Sequence, residues 1–105
     1  IMTRRLTPEE QDFLVSRGFT VIEYSYSPDC FECESQKVRL EDITKNVEKQ
    51  IILQEIASNT TRYSLVSIIS LNGDKTMNYT SDKDVETEVC NLLINPQLWC
   101  VSGRV

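Results

Sequence analysis

The 105-residue sequence predicts one α/β domain: a central four-stranded mixed sheet flanked by helices on both faces. Three observations carry this expectation. Runs rich in β-branched and aromatic residues alternate with segments of helical spacing. A long helical segment joins the first two such runs, as a crossover between parallel strands requires. The last two are joined by Asn72-Gly73, a hairpin signal. No repeat, linker or low-complexity stretch divides the chain, and residues 1–6 read as a flexible tail.

Each element has a local reason. In Thr7-Pro8-Glu9-Glu10, Thr7 caps a first helix, Pro8 takes the first helical position and the acids favour the positive end of the dipole. Phe13 and Leu14 give that helix its apolar side, and Gly18 stops it. Phe19 to Tyr26 reads as the first strand, broken by Ser27-Pro28-Asp29. A helix is expected from about Cys30 to Lys45, with Asp29 a candidate cap and Cys33, Val38, Leu40 and Ile43 facing inward. Gln50 to Ile56 reads as a second strand and Ser58 to Leu65 as one or two helical turns. Val66 to Leu71 and Lys75 to Tyr79 are strands around a type I′ turn at Asn72-Gly73. Ser81 or Asp82 caps a last helix through about Leu93, with Val85, Val89, Leu92 and Leu93 inward, and Asn95-Pro96 ends it.

Composition removes several function classes. Hydrophobic residues at 40% and charged residues at 26% are ordinary for a globular domain. A net charge of −5, with Lys and Arg scattered and Arg4-Arg5 the only adjacent basic pair, argues against nucleic-acid or membrane-surface partners. No apolar run approaches a membrane span. With Met2 as the native start and Ile1 an expression scar, the protein is expected to be cytoplasmic; with a leader or anchor removed, extracytoplasmic. The chain has no histidine, which excludes Ser-His-Asp and Cys-His hydrolases in their usual forms and His-ligated metal sites.

The chemistry then rests on four cysteines. Cys30 and Cys33 form a Cys-x-x-Cys at the end of a strand, opening a helix. There, unsatisfied backbone N–H groups and the helix dipole stabilise a thiolate on the first sulfur, while the second lies within disulfide reach. Cys30 is expected to attack a substrate disulfide and Cys33 to resolve the mixed disulfide. The same spacing also occurs in half of a zinc site, for which Cys90 and Cys100 have the wrong separation, and in pairs of inert core cysteines. Asp29, Glu32 and Glu34 oppose thiolate formation, so the Cys30 pKa is expected to be only modestly lowered and the disulfide only weakly oxidising.

Tyr26-Ser27-Pro28-Asp29-Cys30-Phe31-Glu32-Cys33 resembles the active-site segment of thioredoxin-like proteins, and Arg62-Tyr63-Ser64-Leu65-Val66-Ser67-Ile68 resembles their approach to the third core strand. The resemblance covers about residues 19 to 94 and implies a thioredoxin-like fold with Cys30 and Cys33 catalytic. The family's substrate-binding stretch, usually containing a cis-proline that faces the dithiol, maps onto Ser67, Ile68 and Ile69, where no proline is present. The buried acid that thioredoxins carry six residues before the first cysteine is here Tyr24; Glu23, on the opposite strand face, is a weak substitute.

Cys90 and Cys100 flank Asn95-Pro96, a turn that can fold the tail back to give a structural disulfide; a similar ending occurs in some thioredoxin-like proteins of archaeal type. The alternative is a core Cys90 with a free Cys100 thiol. Trp99 is expected to pack on the last helix, and Asn59-Thr60-Thr61 and Asn78-Tyr79-Thr80 fit the glycosylation pattern. The sequence therefore points to a monomeric thiol–disulfide oxidoreductase without bound cofactor or metal. Its partners are a disulfide-containing protein or small thiol substrate and a redox recycling partner. A non-catalytic binding module and a thiol metal-binding protein are the alternatives.

Overall fold

Alternation of large apolar side chains makes residues 20–26 the centre of the sheet. The structure, a computed structural model, describes residues 6–45, 50–58 and 64–93. Its elements are α1 (Pro8–Ser16), β1 (Thr20–Tyr26), α2 (Cys33–Lys45), β2 (Ile51–Ala57), β3 (Leu65–Ser70), β4 (Gly73–Asn78) and α3 (Asp82–Leu92). The strand order is β2-β1-β3-β4. β1 pairs parallel with β2, which the α2 crossover permits, and antiparallel with β3; β3 and β4 form an antiparallel hairpin. The four-stranded mixed sheet with helices packed on it is the expected α/β architecture.

One sheet face carries the main core. Ile22 and Tyr24 of β1, Ile51 and Leu53 of β2, and Val66 and Ile68 of β3 are buried against Cys33, Leu40 and Ile43 of α2 and Val85, Val89 and Cys90 of α3. These positions share a face because the strand period is two and the register pairs Tyr24 with Val66 and Ile22 with Ile68 and Leu53. Val21, of opposite parity, is fully buried outside that cluster, and α1 packs on β1.

The helix ends follow their local chemistry. Thr7 and Glu10 form a reciprocal capping box at α1. At its C-terminus, the Phe19 N–H bonds the Leu14 carbonyl and the Gly18 N–H that of Val15, a Schellman arrangement that needs the positive φ of Gly18, 93°. Ser81 caps α3 by accepting the Asp84 N–H.

Several expectations are corrected. Leu6, at the end of the expected tail, is buried, and residues 1–5 lie outside the described residues. The hairpin turn is Leu71-Asn72, since Ser70 pairs with Gly73, and neither residue has positive φ, which excludes type I′. The turn is held instead by Ser70, whose Oγ accepts the Asn72 N–H and donates to the Leu92 carbonyl, and by Asn72, whose amide donates to the Leu93 carbonyl. Bonding the open end of α3 thus wins over the local Asn-Gly signal. Val38 is 51% exposed rather than inward. The reading of residues 58–65 as helical turns falls largely outside the described residues, and Leu65 itself belongs to β3.

The orientation of α2 gives a test. Leu40→Ala should lower unfolding free energy by about 2–5 kcal/mol, as for a fully buried leucine, whereas Val38→Ala on the same helix should change it by about 0.5 kcal/mol or less. Urea denaturation measures both; equal losses would mean that α2 is rotated from its described position.

Candidate functional site

The chain leaves the central strand at Tyr26 and turns at once. Ser27-Pro28-Asp29-Cys30 is a β-turn, with Pro28 presetting its backbone angle and the Cys30 N–H donating to the Ser27 carbonyl at 3.0 Å. The Asp29 N–H is 3.3 Å from the Ser27 Oγ. Helix α2 begins only at Cys33, three residues later than the sequence suggests, and Asp29 is an exposed turn residue rather than its cap. The carbonyl of Glu32 accepts from the Gln36 N–H and the Ser35 hydroxyl, so the free N–H groups of the helix end gather around residue 33, with Cys30 just ahead of them.

Cys30 and Cys33 are disulfide-bonded, with S–S 2.06 Å and Cα–Cα 5.4 Å. They differ sharply in environment. Cys30 is half-buried, whereas Cys33 is 2% exposed and belongs to the core. Phe31, between them, is 98% exposed. Asp29, Glu32 and Glu34 are all exposed around the pair; Glu34 forms a 3.3 Å ion pair with Lys37, whose ammonium also lies 4.6 Å from the Tyr26 ring centroid.

Tyr24 supports the buried side of this turn. Its hydroxyl is 2.6 Å from Gln36 Oε1 and 3.5 Å from the Cys33 carbonyl oxygen, and its ring stacks on Tyr26 and meets Tyr79 edge-on. Burial pushes the Tyr24 pKa up to about 12, so it remains a neutral hydrogen-bond donor. Tyr79 is likewise raised by burial and by its hydrogen bond to Asp82.

A carboxyl beside Tyr24 escapes the sequence reading. Glu55 is the β2 residue paired with Tyr24, and one of its carboxylate oxygens is buried without a hydrogen-bond partner. Burial, then the adjacent Glu41 carboxyl, pushes its pKa up to about 7, with Lys37 opposing. The visible signal is a charged residue inside the apolar run Ile51 to Ile56. Glu23, by contrast, has the opposite strand parity and lies on the face away from Cys33.

The register relocates the chain segment opposite the dithiol. Ser25, near the cysteine end of β1, pairs with Leu65, while Ile69 pairs with Val21 toward the other end. Ile68 is fully buried under the helices, and Ser67 has the opposite strand parity. Leu65, the first residue of β3, thus lies toward the cysteine end of β1, while the expected stretch Ser67, Ile68 and Ile69 runs away from it. No cis peptide occurs among the described residues. Cys90 is a buried residue of α3; its expected partner Cys100, along with Trp99 and Asn59, lies outside the described residues.

The paired carboxyls make stability depend on pH. An acid whose pKa is higher folded than unfolded binds more protons in the native state between the two values, so stability should fall as pH rises from about 4.5 to about 7 and then level. Glu55→Gln should flatten that slope, with its gain over wild type greatest above pH 7 and vanishing below pH 4.5. Urea midpoints across this range measure it; parallel curves would refute the assignment.

No family model and no curated protein sequence matches the chain. Solved structures do. A redox protein from Chlamydomonas reinhardtii superposes with TM-score 0.69 at 14% identity over 88% of this chain, which spans only 35% of that longer protein. The germline-specific thioredoxin Deadhead from Drosophila melanogaster gives 0.68 at 8% identity, covering 89% of this chain and all of the fly protein. Chloroplastic thioredoxin z gives 0.61 at 15% identity, over 85% and 92% of the respective chains. At these identities the likeness establishes architecture: the chain has the thioredoxin-like fold, with a Cys-x-x-Cys disulfide at the end of its central strand.

Proposed function

We propose that the protein is a thiol–disulfide oxidoreductase in which Cys30 exchanges with substrate and Cys33 resolves the intermediate. The asymmetry of the pair carries this reading: one sulfur-bearing residue is half-open to solvent while the other is buried against Tyr24 and the core. In the reducing direction, the Cys30 thiolate attacks one sulfur of a substrate disulfide, forming a mixed disulfide and expelling a substrate thiolate. The Cys33 thiolate then attacks Cys30, expelling the second substrate thiolate and leaving the bonded form. Two electrons pass from protein to substrate, and a dithiol reductant restores the pair; the oxidising direction reverses each step.

In this reading substrate binding is assigned to the segment that enters β3 at Leu65, the part of that strand paired with Ser25 near the cysteine end of β1. A binding module without turnover is the second reading. It draws on the lack of any proline between Pro28 and Pro96 and on Tyr24 in place of a buried acid. Metal delivery finds less support, since among the described residues no cluster of three or more His, Cys, Asp or Glu could hold an ion. The Cys90–Cys100 disulfide remains part of the proposal; closing a loop of that length stabilises by about 2–3 kcal/mol in the chain-entropy model.

Insulin reduction with dithiothreitol as the reductant tests the enzyme reading. Turnover should drop to the reagent background in Cys30→Ser. Pre-reduced Cys33→Ser, freed of dithiothreitol and mixed with insulin, should accumulate a mixed disulfide with substrate, visible as added mass under non-reducing conditions. Wild-type protein that never exceeds the background would favour the binding module.

A further inference from the structure

The geometry points to a substrate class: polypeptide disulfides whose reacting cysteine is flanked by basic and apolar residues, selected by Phe31 together with the carboxylates of Asp29 and Glu32. This rests on the exchange reaction proposed above. Phe31 is the most exposed large apolar side chain described, 98% open against 51–60% for Phe13, Val38 and Leu71. It lies inside the four-residue ring closed by the disulfide, and adjacent Cα atoms are about 3.8 Å apart. Any group that reaches the Cys30 sulfur therefore comes within a side-chain length of the phenyl ring. A ring left this open gains by contact with an apolar neighbour of the attacked cysteine.

Charge supplies the second half. From Pro28 to Ser35 the chain carries three carboxylates, at Asp29, Glu32 and Glu34, and no cation. Lys37 lies against Glu34 rather than against Asp29 or Glu32. The topology adds to the same sheet edge: Leu65 pairs with Asn78, the Tyr79 N–H bonds the Ser64 carbonyl, and α3 begins there with Asp82 and Asp84, against Lys83. Arg39, farther along α2, is taken up by Glu86. A cationic segment approaching Cys30 thus meets an acidic rim, while a small anionic disulfide such as oxidised glutathione is repelled.

The test compares single-turnover reduction, by pre-reduced protein, of three synthetic cystine peptides: one flanked by Lys and Leu, one by Glu and Leu, and one by Lys and Ser. Each rate is divided by that with dithiothreitol, because a flanking cation by itself activates a peptide thiol. At low ionic strength the Lys/Leu peptide should be reduced about tenfold faster than the Glu/Leu peptide, and at about 0.5 M salt within about twofold. Asp29→Asn with Glu32→Gln should shrink the charge ratio about threefold. Phe31→Ala should bring the Lys/Leu rate down to that of Lys/Ser. Equal normalised rates for the Lys and Glu peptides, or a preference untouched by salt, overturn the inference while leaving the exchange reaction intact. No peptide reduced faster than by Cys30→Ser means instead that the exchange reading itself fails.

Discussion

The packing of Cys33 against Tyr24 is the constraint on which the rest of the structure depends. Tyr24 is fully buried in the central strand, and its hydroxyl meets both Gln36 and the carbonyl of Cys33. This pins the first turn of α2 to the end of β1. With the helix start fixed, the Pro28 turn has only a few residues in which to return the chain to it. Cys30 consequently stands at the rim and Cys33 beneath it. The inequality between the two sulfurs is therefore a result of how one helix docks, and the chemistry proposed for them follows from that inequality.

Electrostatics around the pair pulls in two directions. The open N–H groups at the start of α2 favour a thiolate, yet Cys30 precedes the helix rather than belonging to it. The exposed carboxylates on either side oppose the same ionisation. Glu55 resists ionisation, because its carboxyl is buried, with one oxygen lacking a partner, beside that of Glu41. The anion stabilisation that makes a disulfide highly oxidising is thus opposed here by Asp29, Glu32 and Glu34.

The order of elements was legible in the sequence because it depends on local signals: the Thr7–Glu10 capping box, Gly18, the β-branched run before Pro28, and Ser81. What sequence misplaced depends on contacts between distant segments. The antiparallel register of β3 puts Leu65, not Ile69, at the dithiol end, and a strand read in isolation carries no direction. The hairpin turn lies one residue earlier because Ser70 and Asn72 serve the end of α3, 22 and 21 residues away. Val38 points outward although it is apolar, since the face of α2 is chosen by Cys33, Leu40 and Ile43. Glu55 takes its distinct environment from burial and from its closeness to Glu41, neither of which a strand pattern encodes.

The proposed exchange requires Cys30 and Cys33 to interconvert reversibly between dithiol and disulfide. Equilibration in glutathione buffers of graded ratio, followed by acid quenching, thiol alkylation and mass spectrometry of the fragment carrying both cysteines, measures this directly. One two-electron transition is expected, with a midpoint of about −230 mV or lower, in the range of reducing dithiol proteins. A fragment that stays fully dithiol across the whole series, or that loses a single thiol to glutathione without forming the internal bond, would contradict it.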